Sequence, residues 1–118
     1  MNNTVNWSDY GLSGDHLPTN WQHVVSLTEG GWYEWVTLHA FYSPTSRRYF
    51  WDYGSGCSCN YWGMDLLSET DFANGSKDDL IRAIRRFGDH YDIYGFRPSD
   101  IIDAVSEVRA WRPTKTPS

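Results

Sequence analysis

Two runs of alternating residues, Trp21 to Thr28 and Trp32 to Tyr42, meet at Gly30-Gly31. Period-two alternation marks a strand with one side against a core, and a Gly-Gly pair supplies the positive φ that a two-residue hairpin turn demands. A β-hairpin follows, and it constrains everything around it. In the first strand Trp21, His23, Val25 and Leu27 are expected on one side, with Gln22, Val24, Ser26 and Thr28 on the other. In the second, Trp32, Glu34, Val36, Leu38, Ala40 and Tyr42 share one face, while Tyr33, Trp35, Thr37, His39 and Phe41 share the opposite one. Both faces of that strand are substantially apolar, the pattern of a central strand covered on both sides. Ser43-Pro44-Thr45-Ser46 is turn chemistry, and alternation resumes from Arg47 to Tyr53. The expectation is a three-stranded antiparallel meander from Trp21 to Tyr53.

Helical spacing appears only towards the C-terminus. Ser76 opens S-x-x-D, and Leu80, Ile81, Ile84 and Phe87 fall on one stripe, which predicts a helix over Lys77 to Phe87 with Gly88 as a left-handed cap. A second helix is expected from Ser99 as N-cap, with Ile101, Ile102, Val105, Val108 and Trp111 buried and Pro113 beyond its end. The chain reads as α+β, with both helices packed on one face of the meander. Its segments are an irregular arm (1–20), the meander (21–53), a Cys loop and crossing (54–75), the helices (76–111) and a tail (112–118). An alternative is a small barrel-like sheet in which Tyr91 to Phe96 adds a fourth strand.

A chain of 118 residues fits one domain, and 40% hydrophobic content with seven Trp and eight Tyr is enough apolar surface for it to fold. A net charge of −5 disfavours general nucleic-acid binding, which rests on Lys and Arg neutralising phosphates. No apolar run approaches a bilayer span, and Met1 to Gly11 lacks the basic and apolar regions of a signal peptide. With only two cysteines, one residue apart, the default compartment is the cytosol.

Cys57-Ser58-Cys59 is the sharpest chemical feature. Zinc is one reading, although structural sites need four ligands and His16, His23, His39 and His90 are scattered. A thiol-dependent enzyme is another, without the C-x-x-C spacing that usually licenses it. The simplest reading is a tight Gly-rich turn with small side chains. Asp52 and Glu34 could pair for acid–base work, against a plainer role beside Arg47 or Arg48, and Arg82, Arg85 and Arg86 read as the solvated side of an amphipathic helix. Phosphate-binding glycine loops and G-x-S-x-G are absent, which removes ATPase, dehydrogenase and α/β-hydrolase readings.

The segment WYEWVTLHAFYSPTSRRYFWDYGSGCSCNYW, together with Ser8-Asp9-Tyr10-Gly11-Leu12, resembles small uncharacterised proteins encoded by tailed phages of actinobacteria. These carry an S-D-Y-G-L-like stretch, an aromatic hairpin and a D-S-G-C-S-C-like loop. Here the loop has two residues more between Asp52 and the G-C-S-C core, and Asn60-Tyr61-Trp62-Gly63 stands where a Pro-rich segment is usual. The resemblance implies a phage accessory protein in the host cytoplasm and assigns no activity. The expected function is therefore a non-catalytic interaction module for a host or phage protein, or for a second copy of itself. Two helices cover one sheet face, so Tyr33, Trp35 and Phe41 on the other are the expected interaction surface, covered in part by the arm around Trp7 and Tyr10 and otherwise by a partner or a second copy, and flanked by Cys57 and Cys59 as a metal or thiol site.

Overall fold

The computed structural model describes residues 4–30, 34–91 and 96–114. Strands β1 (Gln22–Gly30), β2 (Glu34–Ser43), β3 (Arg48–Cys57) and β4 (Ala73–Gly75) form one antiparallel sheet in the order β1-β2-β3-β4. Helices α1 (Lys77–His90) and α2 (Pro98–Ala110) follow, and short 3-10 turns occupy Trp7–Tyr10 and Glu69–Asp71. The α+β class is as the sequence indicates, but the sheet has four strands and not three. The fourth comes from the crossing segment and pairs only with Tyr49, Phe50 and Trp51. Residues 92–95 lie outside the described residues, and with them most of the alternative strand Tyr91 to Phe96.

Both helix starts are explained locally. Ser76 Oγ accepts from Asp79 N at 3.1 Å while the Asp79 carboxylate accepts from Ser76 N at 2.9 Å, closing a reciprocal capping box. The second helix begins two residues earlier than expected, with Arg97 and not Ser99 as N-cap: Pro98 takes the first helical position, where its missing N–H costs nothing, and Asp100 accepts from Arg97 N at 2.8 Å. Gly88 is no cap, because α1 runs on to His90. Its hydrogen side chain instead admits Ile101 of α2, whose Cγ1 would lie 2.6 Å from any Cβ at that position. Ile102, assigned to the buried stripe from its spacing, is 66% exposed.

The helices cover the face of β2 that carries Val36, Leu38 and Ala40, and Leu80, Ile84, Phe87, Val105 and Val108 complete this core. A β-bulge in β1 between His23 and Val25 breaks simple alternation. Its effect is to leave Val24, Val25 and Leu27 in the helix-side core while Trp21 and His23 turn to the opposite side.

That opposite side is not open. Trp7, Leu12 and Leu17 from the N-terminal arm and Trp62, Leu66 and Phe72 from the crossing segment roof it, forming a second core around Trp21, Phe41 and Phe50. Trp21 stacks on Phe50 at a centroid distance of 4.4 Å, and Trp7 sits 5.1 Å from Phe41. The Trp7 indole donates to Pro18 O at 2.7 Å, closing the arm on itself. The expected interaction surface is corrected accordingly. Phe41 is 0% exposed, Trp35 is half-buried, and Tyr33 lies outside the described residues. The chain covers its own aromatic face, since leaving so much ring surface in water would forfeit roughly 2 kcal/mol for each large side chain.

Candidate functional site

Strand β3 was expected to end at Tyr53 with a tight turn after it. It continues to Cys57, because Gly54, Ser55, Gly56 and Cys57 pair with Thr37, Val36, Trp35 and Glu34. Two glycines would ordinarily weaken such a strand, but the Trp35 ring lies across both. A Cβ at Gly56 would come within 2.6 Å of the ring, and one at Gly54 within 3.8 Å. The Trp35 indole then donates to Cys57 O and Asn60 O, each at 3.1 Å, while Asn60 Oδ1 accepts from Cys57 N at 2.8 Å. One side chain thus substitutes for the missing side chains and ties down the turn beyond them.

Because β4 stops opposite Trp51, β3 has no strand partner on its outer side from Asp52 to Cys57 among the described residues. In an extended strand paired on one side, every second residue turns its N–H and C=O to the open side. Cross-strand partners share a face, so Trp51 and Tyr53, opposite Ala40 and Leu38, lie on the helix side. Asp52 and Gly54, opposite His39 and Thr37, lie on the aromatic side. Tyr53 meets the end of α1 through Phe87 and Tyr91, at ring-centroid distances of 6.0 and 6.3 Å, and is still 53% exposed.

A cavity flanks the open edge on each face. On the helix side about 420 Å³ is lined by Trp51, Tyr53, Phe87, Arg82, Arg86 and His90, with Asp79 also at its wall. Arg82 pairs with Asp79, whereas Arg86 has no ionic partner among the described residues. On the aromatic side about 340 Å³ is lined by Trp35, Tyr61 and Trp62 together with Asp52, Asp65 and Asp71. No Lys, Arg or His lines this second cavity among the described residues. Tyr53 borders both.

The acidic cavity is electrostatically uncomfortable. Burial pushes the Asp52 carboxyl up to about 6, with Asp65 and Asp71 adding repulsion. The Trp62 indole N–H leans towards Asp52 and partly counters this, yet its geometry falls short of a hydrogen bond. Trp62 is 7% exposed, and its Nε1 has no hydrogen-bond partner among the described residues. A folded-state pKa above the unfolded one means the folded protein holds the proton more tightly. The resulting stabilisation is complete below about pH 4 and is lost as pH rises through about 6. Asp52→Asn is therefore expected to raise stability at pH 7.5 by about 1 kcal/mol, a figure reduced for the partial exposure of the group. Urea denaturation at pH 7.5 and pH 4 checks this, and the gain should vanish at the lower pH.

Sequence reasoning treated the histidines as scattered, but two of them meet. Ser26 Oγ lies 2.7 Å from His23 Nε2 and 2.6 Å from His39 Nδ1, and His39 Nε2 lies 3.3 Å from Thr37 Oγ1. Burial lowers both imidazoles, His39 to about 4 with His23 repelling it further, so the cluster is neutral at pH 7. The Ser26–His39 cross-strand pair was the available signal, legible only once the bulge fixes the register. Among the described residues no carboxylate hydrogen-bonds to either ring, so the cluster lacks the third member of a nucleophile triad.

The remaining sequence candidates separate. Glu34 pairs with Cys57 and Asp52 with His39, on opposite faces of the sheet, so the two carboxylates do not converge. Arg48, offered as a partner for Asp52, donates instead to Asn74 Oδ1 at 2.9 Å. Cys57 and Cys59 are free, exposed thiols at the end of β3. Interaction with the Cys59 thiol lowers the Cys57 pKa and raises that of Cys59. Among the described residues no three His, Cys, Asp or Glu side chains converge as metal ligands, and no helix is long and apolar enough to cross a membrane.

Compared with known proteins, the chain matches no family, no curated sequence and no solved structure. The edge of β3 and its two cavities therefore have to be interpreted from their own chemistry.

Proposed function

We propose that this chain is a non-catalytic protein-interaction module that captures an extended segment of a host or phage protein as an added strand along Asp52 to Cys57. One observation carries the reading: a six-residue strand end without an outer strand partner among the described residues, held flat by Trp35 and flanked by two lined cavities. Strand addition draws affinity from main-chain hydrogen bonds and specificity from pockets that receive alternate side chains. The other outer strand, β1, suits this less well. It carries a bulge, and Asp100, Asp103 and Glu107 stand beside it, two devices that blunt an edge. The phage setting and cytoplasmic location belong to the same proposal and rest on the resemblance in the hairpin and Cys loop. Free thiols at Cys57 and Cys59 suit a reducing compartment.

The test is selection of random nine-residue peptides on the immobilised protein, followed by amide hydrogen exchange with an enriched peptide bound. Protection concentrated at residues 52–57 is expected. Enriched peptides that protect other residues, or no enrichment at all, would overturn strand capture at this edge.

A further inference from the structure

We infer that the captured segment carries an acidic and a basic side chain at adjacent positions, the acidic one entering the cavity beside Arg86 and the basic one the cavity beside Asp52. This rests on the strand-capture reading and specifies what the strand must contain. Successive side chains of an extended strand point to opposite faces of the sheet, about 3.4 Å apart along the chain. The two cavities lie on opposite faces of one edge and share Tyr53 as a common wall, so neighbouring residues of an added strand enter different cavities.

The charges of the cavities are opposite. On the helix side, Arg82 and Arg86 outnumber the single carboxylate of Asp79. An incoming Asp or Glu meets the unpaired Arg86 guanidinium over a floor of Trp51 and Phe87. On the aromatic side three carboxylates share a cavity without a cation, and the rings of Trp35, Tyr61 and Trp62 wall it. A Lys or Arg side chain there lies between carboxylates and aromatic faces, a setting that favours cations. The Trp62 indole N–H, buried and without a hydrogen-bond partner among the described residues, turns towards Asp52 in the wall of the same cavity.

The experiment uses capped nine-residue peptides of β-branched residues, all with one Glu and one Arg and differing only in their spacing. In one the charged residues are adjacent; in the other a single residue separates them, so that both face the same side. Titration calorimetry is expected to show the adjacent arrangement binding at least tenfold more tightly. The Arg86→Glu variant, altered at an exposed position of α1, is expected to reverse the preference at the first cavity and favour a peptide with two adjacent Arg residues. Equal affinity for both spacings, with β3-edge protection retained, would overturn the charge assignment and leave strand capture standing. Absence of edge protection with every peptide would overturn both.

Discussion

Trp7→Ala is expected to lower the stability of the protein by about 3 to 5 kcal/mol, the range for removing a buried aromatic side chain. The ring is 5% exposed and touches Trp21, Phe41, Phe72 and Tyr10, and its indole N–H holds Pro18 O. Against a total stability of about 5 to 15 kcal/mol for a natural domain, this is a large fraction. Thermal melting should fall by on the order of 10 to 20 °C. The measurement also decides what covers the aromatic face. If Trp7→Ala melts within a degree or two of the parent, the arm is not part of the core, and Phe41 returns as a candidate contact for a partner. A large loss means that the face is internal and that any partner binds elsewhere.

Trp35→Ala should be the next most damaging change, at about 2 to 4 kcal/mol, less than for Trp7 because the ring is only half-buried. Three things fail together. The rings over Gly54 and Gly56 are lost, the carbonyls of Cys57 and Asn60 lose their shared donor, and the acidic cavity loses a wall. The expected pattern is a stability loss in urea together with faster amide exchange at residues 54–60. Binding of an edge peptide should weaken as well, since a strand end that frays no longer offers a preorganised template. A variant with unchanged exchange at residues 54–60 would show that the glycines hold their extended form without the ring, and that Trp35 is not the clamp.

Much of the scaffold was legible because its signals are local. Period-two alternation specifies a β1–β2 hairpin, although Gly30, expected in a two-residue turn, pairs with Trp35 inside β1, and the S-x-x-D box with the Leu80, Ile81, Ile84 and Phe87 stripe specifies α1. The side of β2 taken by the helices was legible too, since Val36 and Leu38 match aliphatic stripes. Other features have no local signature. A three-residue strand such as β4 is too short for periodicity to register, and it exists because Tyr49 to Trp51 offered it a ladder. The bulge at Val24 leaves the composition of β1 unchanged while redirecting every residue after it.

The sequence by itself determined the α+β class, the central hairpin and the interior stripe of α1, because propensity and periodicity act between residues a few positions apart. The sequence also offers the arm around Trp7 and Tyr10 as a partial cover for the second face of the sheet; only the tertiary structure decided that the crossing segment completes that cover and where, among the described residues, the sheet stays open. The arm holding Trp7 and the crossing segment holding Phe72 read as irregular in isolation, and their apolar side chains acquire a place only when Trp21, Phe41 and Phe50 are assembled beneath them. Likewise Asp52, Asp65 and Asp71 are ordinary acidic residues along the chain. Chain reversal through the Cys loop brings them to one cavity, and the early end of β4 leaves the edge beside it without a strand partner among the described residues. Contacts between residues distant in sequence depend on the closure of the intervening loops, and that closure is a property of the whole packed molecule.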